Sequence, residues 1–285
     1  MKLALKLLLL FIILISTTLS AQENTSTPLN DETKSNYTKD LITKEVEELI
    51  NKGYNLNKQD PSTGLTTLME VAKIDENPEL IEALIEHGAD VNAKDFAGTT
   101  VLMYASVYNN NPAIIETLIK HGADINAKDR QGRTALILAI TNDKDVTTID
   151  TLIANGANVN DKFIHNSTAL YLAASISSYT EVIETLINHG AIVRVDDLCA
   201  AAASTRNLAI IEKIAQHLPD INEQDDDGDT GLMAAVYNSN PQAVETLLKL
   251  GADINIKNNN GETAIDIAKR ENRQDILEIL QKYQQ

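Results

Sequence analysis

The chain has 285 residues, with 24 Lys and Arg against 41 Asp and Glu, a formal net charge of −17. That acidity argues against nucleic acid as a partner, because duplex binding draws most of its affinity from cations that displace condensed counterions, and it disfavours an anionic membrane surface. Apolar residues make up 43% of the chain, enough for a core, but a single cysteine, Cys199, excludes an intrachain disulfide framework.

The N-terminus reads as an export signal. Met1, Lys2 and Lys6 form a basic head, Leu7 to Ile15 an unbroken apolar run, and Thr18-Leu19-Ser20-Ala21 a stretch of mostly small residues. A signal peptide over 1–21, cleaved after Ala21, is expected. The run falls short of the roughly 20 apolar residues of a membrane-spanning helix; an uncleaved N-terminal anchor is the alternative. Residues 22–38, mostly Asn, Thr, Ser, Glu and Lys, read as a disordered polar linker. Asn24-Thr25-Ser26 and Asn36-Tyr37-Thr38 fit the N-glycosylation pattern.

From residue 39 onward the chain repeats itself. Ile85 to Asp95 reads IEHGADVNAKD, Ile119 to Asp129 reads IKHGADINAKD, and Leu248 to Asn255 reads LKLGADIN. Gly88, Gly122, Gly156 and Gly190 are each 34 residues apart. A Thr followed two residues later by an apolar side chain recurs at Thr66, Thr100, Thr134, Thr168, Thr230 and Thr263. A fixed period of this length marks a repeat architecture.

One copy shows the physics of the unit. Val101, Leu102, Ala105 and Ser106 put small and apolar groups on one face of a short helix, and Ile114, Ile115, Leu118 and Ile119 form the apolar stripe of a second. Pro112 suits the first turn of that second helix, Gly122 its left-handed end, and the Asp-x-x-Gly segment that follows is turn chemistry. The unit is therefore hairpin, helix, turn, helix.

Openings such as Asp95-Phe96-Ala97-Gly98-Thr99-Thr100 and Asp129-Arg130-Gln131-Gly132-Arg133-Thr134, with the Gly-Ala-Asp-Val/Ile-Asn closings, resemble the ankyrin repeat family over residues 41–285. The family's Thr-Pro-Leu-His start is altered: the Pro slot holds Thr67, Val101, Ala135, Ala169, Gly231 and Ala264. The resemblance implies an all-α, ankyrin-repeat solenoid of stacked helix-turn-helix units joined by β-hairpin-like loops; with the N-terminal signal, the expectation is an exported bacterial member of that family. The domain, 39–285, divides into an N-terminal half-unit at 41–58 and units at about 60–94, 95–128, 129–162, 163–196, 197–224, 225–257 and 258–285. The fifth is shortened: about five hairpin residues are missing where Arg194-Val195-Asp196-Asp197 leads straight into the next helix, making this the softest joint. Each unit depends on its neighbours for burial.

Other constellations have ordinary explanations. His87, His121, His189 and His217 share one slot before the closing glycine or its replacement, beside helix C-terminal carbonyls; no metal or cofactor is expected. Glu223 to Gly228 resembles the start of a calcium loop, but the twelfth position is Ala234 rather than Glu. Cys199 sits in the slot of Leu68, Leu102, Leu136 and Leu170, so a buried apolar role is expected, and no catalytic motif accompanies it. The protein is therefore expected not to be an enzyme.

The resemblance implies a concave face lined by hairpin tips and first helices. Carried onto this chain, the tips are Phe96, Arg130, Arg133, Phe163, His165, Asp226, Asp227 and Asn259, and the helix face is Tyr108, Asn142, Ile176 and Tyr237. Aromatic and Arg side chains dominate protein–protein hot spots. The expected function is a non-enzymatic protein-binding scaffold, periplasmic or secreted and monomeric, whose partner carries a basic surface. A secreted inhibitor or effector acting on another cell is the alternative.

Overall fold

A computed structural model describes residues 31–74, 77–176, 180–204 and 207–284, with side chains from Lys39 on. The expected signal peptide, 1–21, lies outside these residues. The chain divides into two compact units: one runs to Ala135 and includes Ala154–Gly156, and the other comprises Leu136–Ile153 and Ala157–Gln285.

In the first unit, helices run Asp31–Asn51 (α1), Thr67–Ile74 (α2), Pro78–Glu86 (α3), Val101–Tyr108 (α4) and Pro112–Lys120 (α5), and Ala135–Thr141 (α6) starts at its end. Helix α1 begins at Asp31, inside the stretch expected to be a linker. No Gly or Pro interrupts residues 31–40, so the helix grows backward from Ile42 and Val46, which are buried. Two layers form, with α2 against α4 in one and α1, α3 and α5 in sequence in the other.

The recurrent threonines are helix N-caps. Thr100 Oγ1 accepts from the Met103 N–H at 3.3 Å, and Asn77 and Asn111 cap α3 and α5 just before Pro78 and Pro112. At the far end Gly88 takes φ +93°, and Ala89 N–H returns to Leu84 O at 2.9 Å, a left-handed closure open to glycine at no steric cost.

Between closures runs a column of asparagines. Asn57 Nδ2 donates to Gly88 O at 2.8 Å while its Oδ1 accepts from Asp90 N–H at 2.8 Å. Asn92 repeats both bonds with Gly122 O and Asp124 N–H, and Asn126 donates to Gly156 O at 3.2 Å. Each amide thus pairs with one unit further along, as a backbone peptide would.

The second unit carries Val146–Ala154 (α7), Ala169–Ile176 (α8), Thr180–Asn188 (α9), Val195–Ser204 (α10), Leu208–Ala215 (α11), Gly231–Tyr237 (α12), Pro241–Lys249 (α13), Ala264–Arg270 (α14) and Gln274–Tyr283 (α15). Helices α8, α10, α12 and α14 pack in one layer and α9, α11, α13 and α15 in the other. Asn160 bonds Gly190 O and Ile192 N–H at 2.9 Å each, and Asn222 accepts from Asp253 N–H at 2.8 Å. The hairpins are fingers closed by single ladders, as in Asp225 N–H to Asp229 O and Asn258 N–H to Glu262 O.

The shortened unit has no finger: α10 begins at Val195, five residues after Gly190. Arg194 occupies the slot that Asn92 fills in its own copy, and its N–H donates to Asp197 Oδ2 at 2.8 Å. Asp197 is fully buried and its Oδ1 has no hydrogen-bond partner among the described residues. Leu198 rather than Cys199 takes the buried slot, because α10 starts early and Gly231 leaves room: a Cβ there would lie 2.7 Å from Leu198 Cδ2. Cys199 is half-buried.

Two outcomes follow for stability. Gly228 (φ +77°) and Gly251 (φ +98°) both need a left-handed backbone, but a Cβ on Gly228 would lie 2.7 Å from the Asn259 nitrogen, whereas Gly251 faces open space. Gly251→Ala should cost about 1 kcal/mol and Gly228→Ala clearly more, read by denaturant unfolding. Burial, opposed by the Arg194 N–H, raises the Asp197 carboxyl to about 6 from its ordinary 3.8. The native state therefore binds this proton more tightly, a stabilisation present below pH 4 and lost as pH rises through 6. Asp197→Asn should gain stability over the parent across that window, by roughly 2–3 kcal/mol, and the gain should vanish at pH 4.

Candidate functional site

In the first unit the fingers and first helices carry an aromatic patch. Phe96, 49% exposed, leans on the neighbouring fingertip, where a Cβ on Gly64 would lie 2.8 Å from its ring. Tyr108, 56% exposed, stacks on Tyr104 with centroids 6.1 Å apart, and Lys73 Nζ sits 5.4 and 5.5 Å from the two rings. Tyr104 OH donates to Asp95 Oδ2 at 2.7 Å; burial and that carboxylate hold its phenol well above the ordinary range. Ile74 is 55% exposed nearby in α2. Arg130 keeps its side chain exposed while its N–H donates to Ala97 O at 3.0 Å. Arg133 is held within its own finger, with Nε and Nη2 both 2.8 Å from Oδ2 of buried Asp129.

In the second unit Asn142 is exposed but closes its own helix end, Nδ2 donating to Leu138 O at 2.8 Å. Phe163 is half-buried in the slot that Asp95 fills, its N–H paired with Ser167 O as Asp95 N–H is with Thr99 O. The fingertip there is Ile164, 44% exposed. Counting four residues back from Thr168, as Phe96 stands to Thr100, finds this position from sequence. His165 is exposed with φ +55°, and Ile176 is exposed at the end of α8. Asp226 and Asp227 are exposed side chains whose carbonyls hold the next finger, Asn259 donating through Nδ2 and N–H at 3.0 and 3.1 Å.

Of the twelve expected residues, His165, Asp226 and Tyr237 come together around one cavity of about 670 Å³. Tyr171, Arg194, Asp196, Cys199, Asp225 and Asp229 also line it, and sequence reasoning had not placed them there. Arg194 lies 4.0 Å from Asp196. The Asp229 carboxyl is raised by burial and by Asp225, Asp227 and Glu262, against a bond from Asn258. Burial and the neighbouring carboxylates of Asp225 and Asp196 push the Cys199 thiol far above its usual range, so it stays protonated and a poor nucleophile. Tyr237 accepts from Asn258 Nδ2 at 3.3 Å, and Arg270 lies 5.8 Å from its ring centroid.

The histidines close helices: Nδ1 of His87, His121 and His217 donates to Ala83, Thr117 and Lys213 carbonyls. Ligand atoms of Glu82, Glu86 and His121 lie within 4.8 Å of one another, but Glu82 already pairs with Lys39 at 2.8 Å and Lys120 at 3.4 Å. In the calcium-like loop, Asp225 Oδ1 accepts from Asp227 and Asp229 N–H, which is finger closure. Among the described residues no helix is long and apolar enough to cross a membrane.

A family model described as ankyrin repeats matches in three copies, over residues 40–129, 107–197 and 198–285. The chain is 34% identical over 83 residues to an ankyrin repeat protein of Acanthamoeba polyphaga mimivirus, covering 29% of this chain and 11% of that one. It is 38% identical over 86 residues to an alpha-latrotoxin of Latrodectus geometricus, covering 30% and 6%. The matches thus span about a tenth or less of these relatives. The crystal structure of the ankyrin repeat domain of Bcl-3 superposes with a TM-score of 0.65 at 24% identity, over 76% of this chain and 99% of that one. The chain belongs to the ankyrin-repeat family, whose repeats serve as scaffolds for protein–protein interaction.

Proposed function

We propose that this protein is a non-enzymatic scaffold, exported to a bacterial periplasm or the medium, that binds a partner protein through its fingers and first helices. The observation that carries the reading is the contrast between framework and face. Thr caps, closing glycines and asparagines recur from copy to copy, while the tip position holds Phe96, Arg130, Ile164, Asp226 and Asn259, a different chemistry each time. Large apolar side chains stay exposed on the fingers and first helices of each unit, Phe96 and Tyr108 in one and Ile164 and Ile176 in the other. The net charge of −17 favours a partner with a basic surface, steered by long-range attraction. Export rests on the basic head and apolar run of residues 1–21, and fractionation into envelope or medium separates a scaffold from a secreted effector.

Affinity capture from the source cell's envelope and medium, with the parent as bait beside a Phe96→Ala, Tyr108→Ala, Arg130→Ala bait, tests the face. A protein held by the parent should bind the triple variant at least tenfold more weakly, since each hot-spot truncation costs more than about 1 kcal/mol. Equal retention by both baits would show the face is not used. The natural protein should begin at Gln22 by N-terminal sequencing; a chain starting at Met1 would mean an anchor instead.

A further inference from the structure

At two finger junctions the tip N–H of one finger donates to the carbonyl one residue past the tip of the finger before it: Arg130 N–H to Ala97 O at 3.0 Å, and Asn259 N–H to Asp227 O at 3.1 Å. The register places His165 O in the carbonyl position and Asp226 N–H in the donor position on either side of the missing finger. Both residues line the 670 Å³ cavity, so the cavity lies in the space the deleted finger would fill. Neither of these two backbone groups makes a hydrogen bond among the described residues.

The chemistry of the walls is one-sided. Asp196, Asp225, Asp226 and Asp229 bring carboxylates to the cavity, against Arg194 alone as a fixed cation. Tyr171 and Tyr237 add aromatic surface suited to a cationic side chain. The Asp229 carboxyl is raised first by burial and then by the neighbouring carboxylates of Asp225, Asp227 and Glu262. Asp197, one residue on from the lining Asp196, is buried and keeps one oxygen without a hydrogen-bond partner among the described residues.

We propose that the gap left by the missing finger is a docking notch for an extended, turn-forming segment of a partner protein that carries a lysine or arginine. The segment takes the finger's place, donating to His165 O and accepting from Asp226 N–H. Its cation enters among the carboxylates. This inference rests on the scaffold reading above and adds the chemistry that one part of the face selects.

The probe is a cyclic octapeptide presenting a Lys-Asn-Gly-Lys turn, with a control in which both lysines are glutamine. Binding to the intact protein is read by fluorescence anisotropy, and exchange of the Asp226 amide by NMR. The lysine peptide should bind at least tenfold more tightly than its control and slow Asp226 amide exchange at least tenfold. Asp196→Asn with Asp226→Asn should weaken it at least tenfold. Glu116→Gln with Glu181→Gln removes the same charge from exposed sites outside the cavity and should change binding less than twofold. Circular dichroism checks that both variants keep the parent fold. Binding that falls equally in the two double variants, leaves the Asp226 amide unprotected or ignores the lysines would be diffuse charge attraction and would overturn the notch, as would no binding at all. If the notch fails while captured partners still depend on Phe96 and Tyr108, the scaffold reading stands alone.

Discussion

The structure depends on an asparagine side chain standing in for a peptide bond. A short two-helix unit cannot bury its apolar faces alone, and helix packing by itself leaves neighbours free to slide. Asn57, Asn92 and Asn160 prevent this by offering one donor and one acceptor to the closing loop of the next copy, at 2.8 to 2.9 Å. The loop can receive them because its glycine carbonyl and the N–H two residues on lie outside any helix, and because the glycine is left-handed. Register is thereby fixed from one copy to the next.

The shortened unit shows what happens when that device is lost. Arg194 stands where the asparagine would be and its main chain turns directly into a helix, stabilised by the Asp197 carboxylate. The local solution is costly, since a buried carboxyl with an orphaned oxygen replaces a neutral amide with two partners. It also leaves one wall of each flanking finger lining a cavity, the acidic side chains coming from the Asp225–Asp229 finger and from Asp196 of α10.

Much of this was legible in the sequence because the framework residues are constrained by backbone geometry. Gly88 must be left-handed, Thr100 must cap and Pro112 must open a helix, so each leaves a mark at a fixed spacing. Helix α1 reached further back than composition suggested because polar residues without Gly or Pro can still extend a helix anchored by Ile42 and Val46. The surface was harder to read. Arg133 looks like Arg130 on paper, yet a buried Asp129 four residues before it captures its guanidinium. Phe163 looks like a tip in the sequence because that finger departs from the Asp-x-x-Gly form, Phe163 taking the Asp slot and Asn166 the glycine slot. The deletion shifts the helix register by one residue, so that Leu198 rather than Cys199 is buried. Tyr104 and Lys73 carry no repeat signature, and only packing on Tyr108 reveals them.

The tip column has a consequence for how such a protein can change. Phe96, Arg130, Ile164, Asp226 and Asn259 sit one per copy on fingers whose shape is set by other residues, in all but the Ile164 finger chiefly the Asx closure and the tip glycine. Apart from the Asn259 amide, which bonds Asp226 O, and the Phe96 ring, which rests on the Gly64 fingertip, their side chains make no hydrogen bond to the framework among the described residues. A substitution at Arg130, Ile164 or Asp226 alters what the fingers present while leaving caps, rungs and core intact, so specificity there can change one letter at a time.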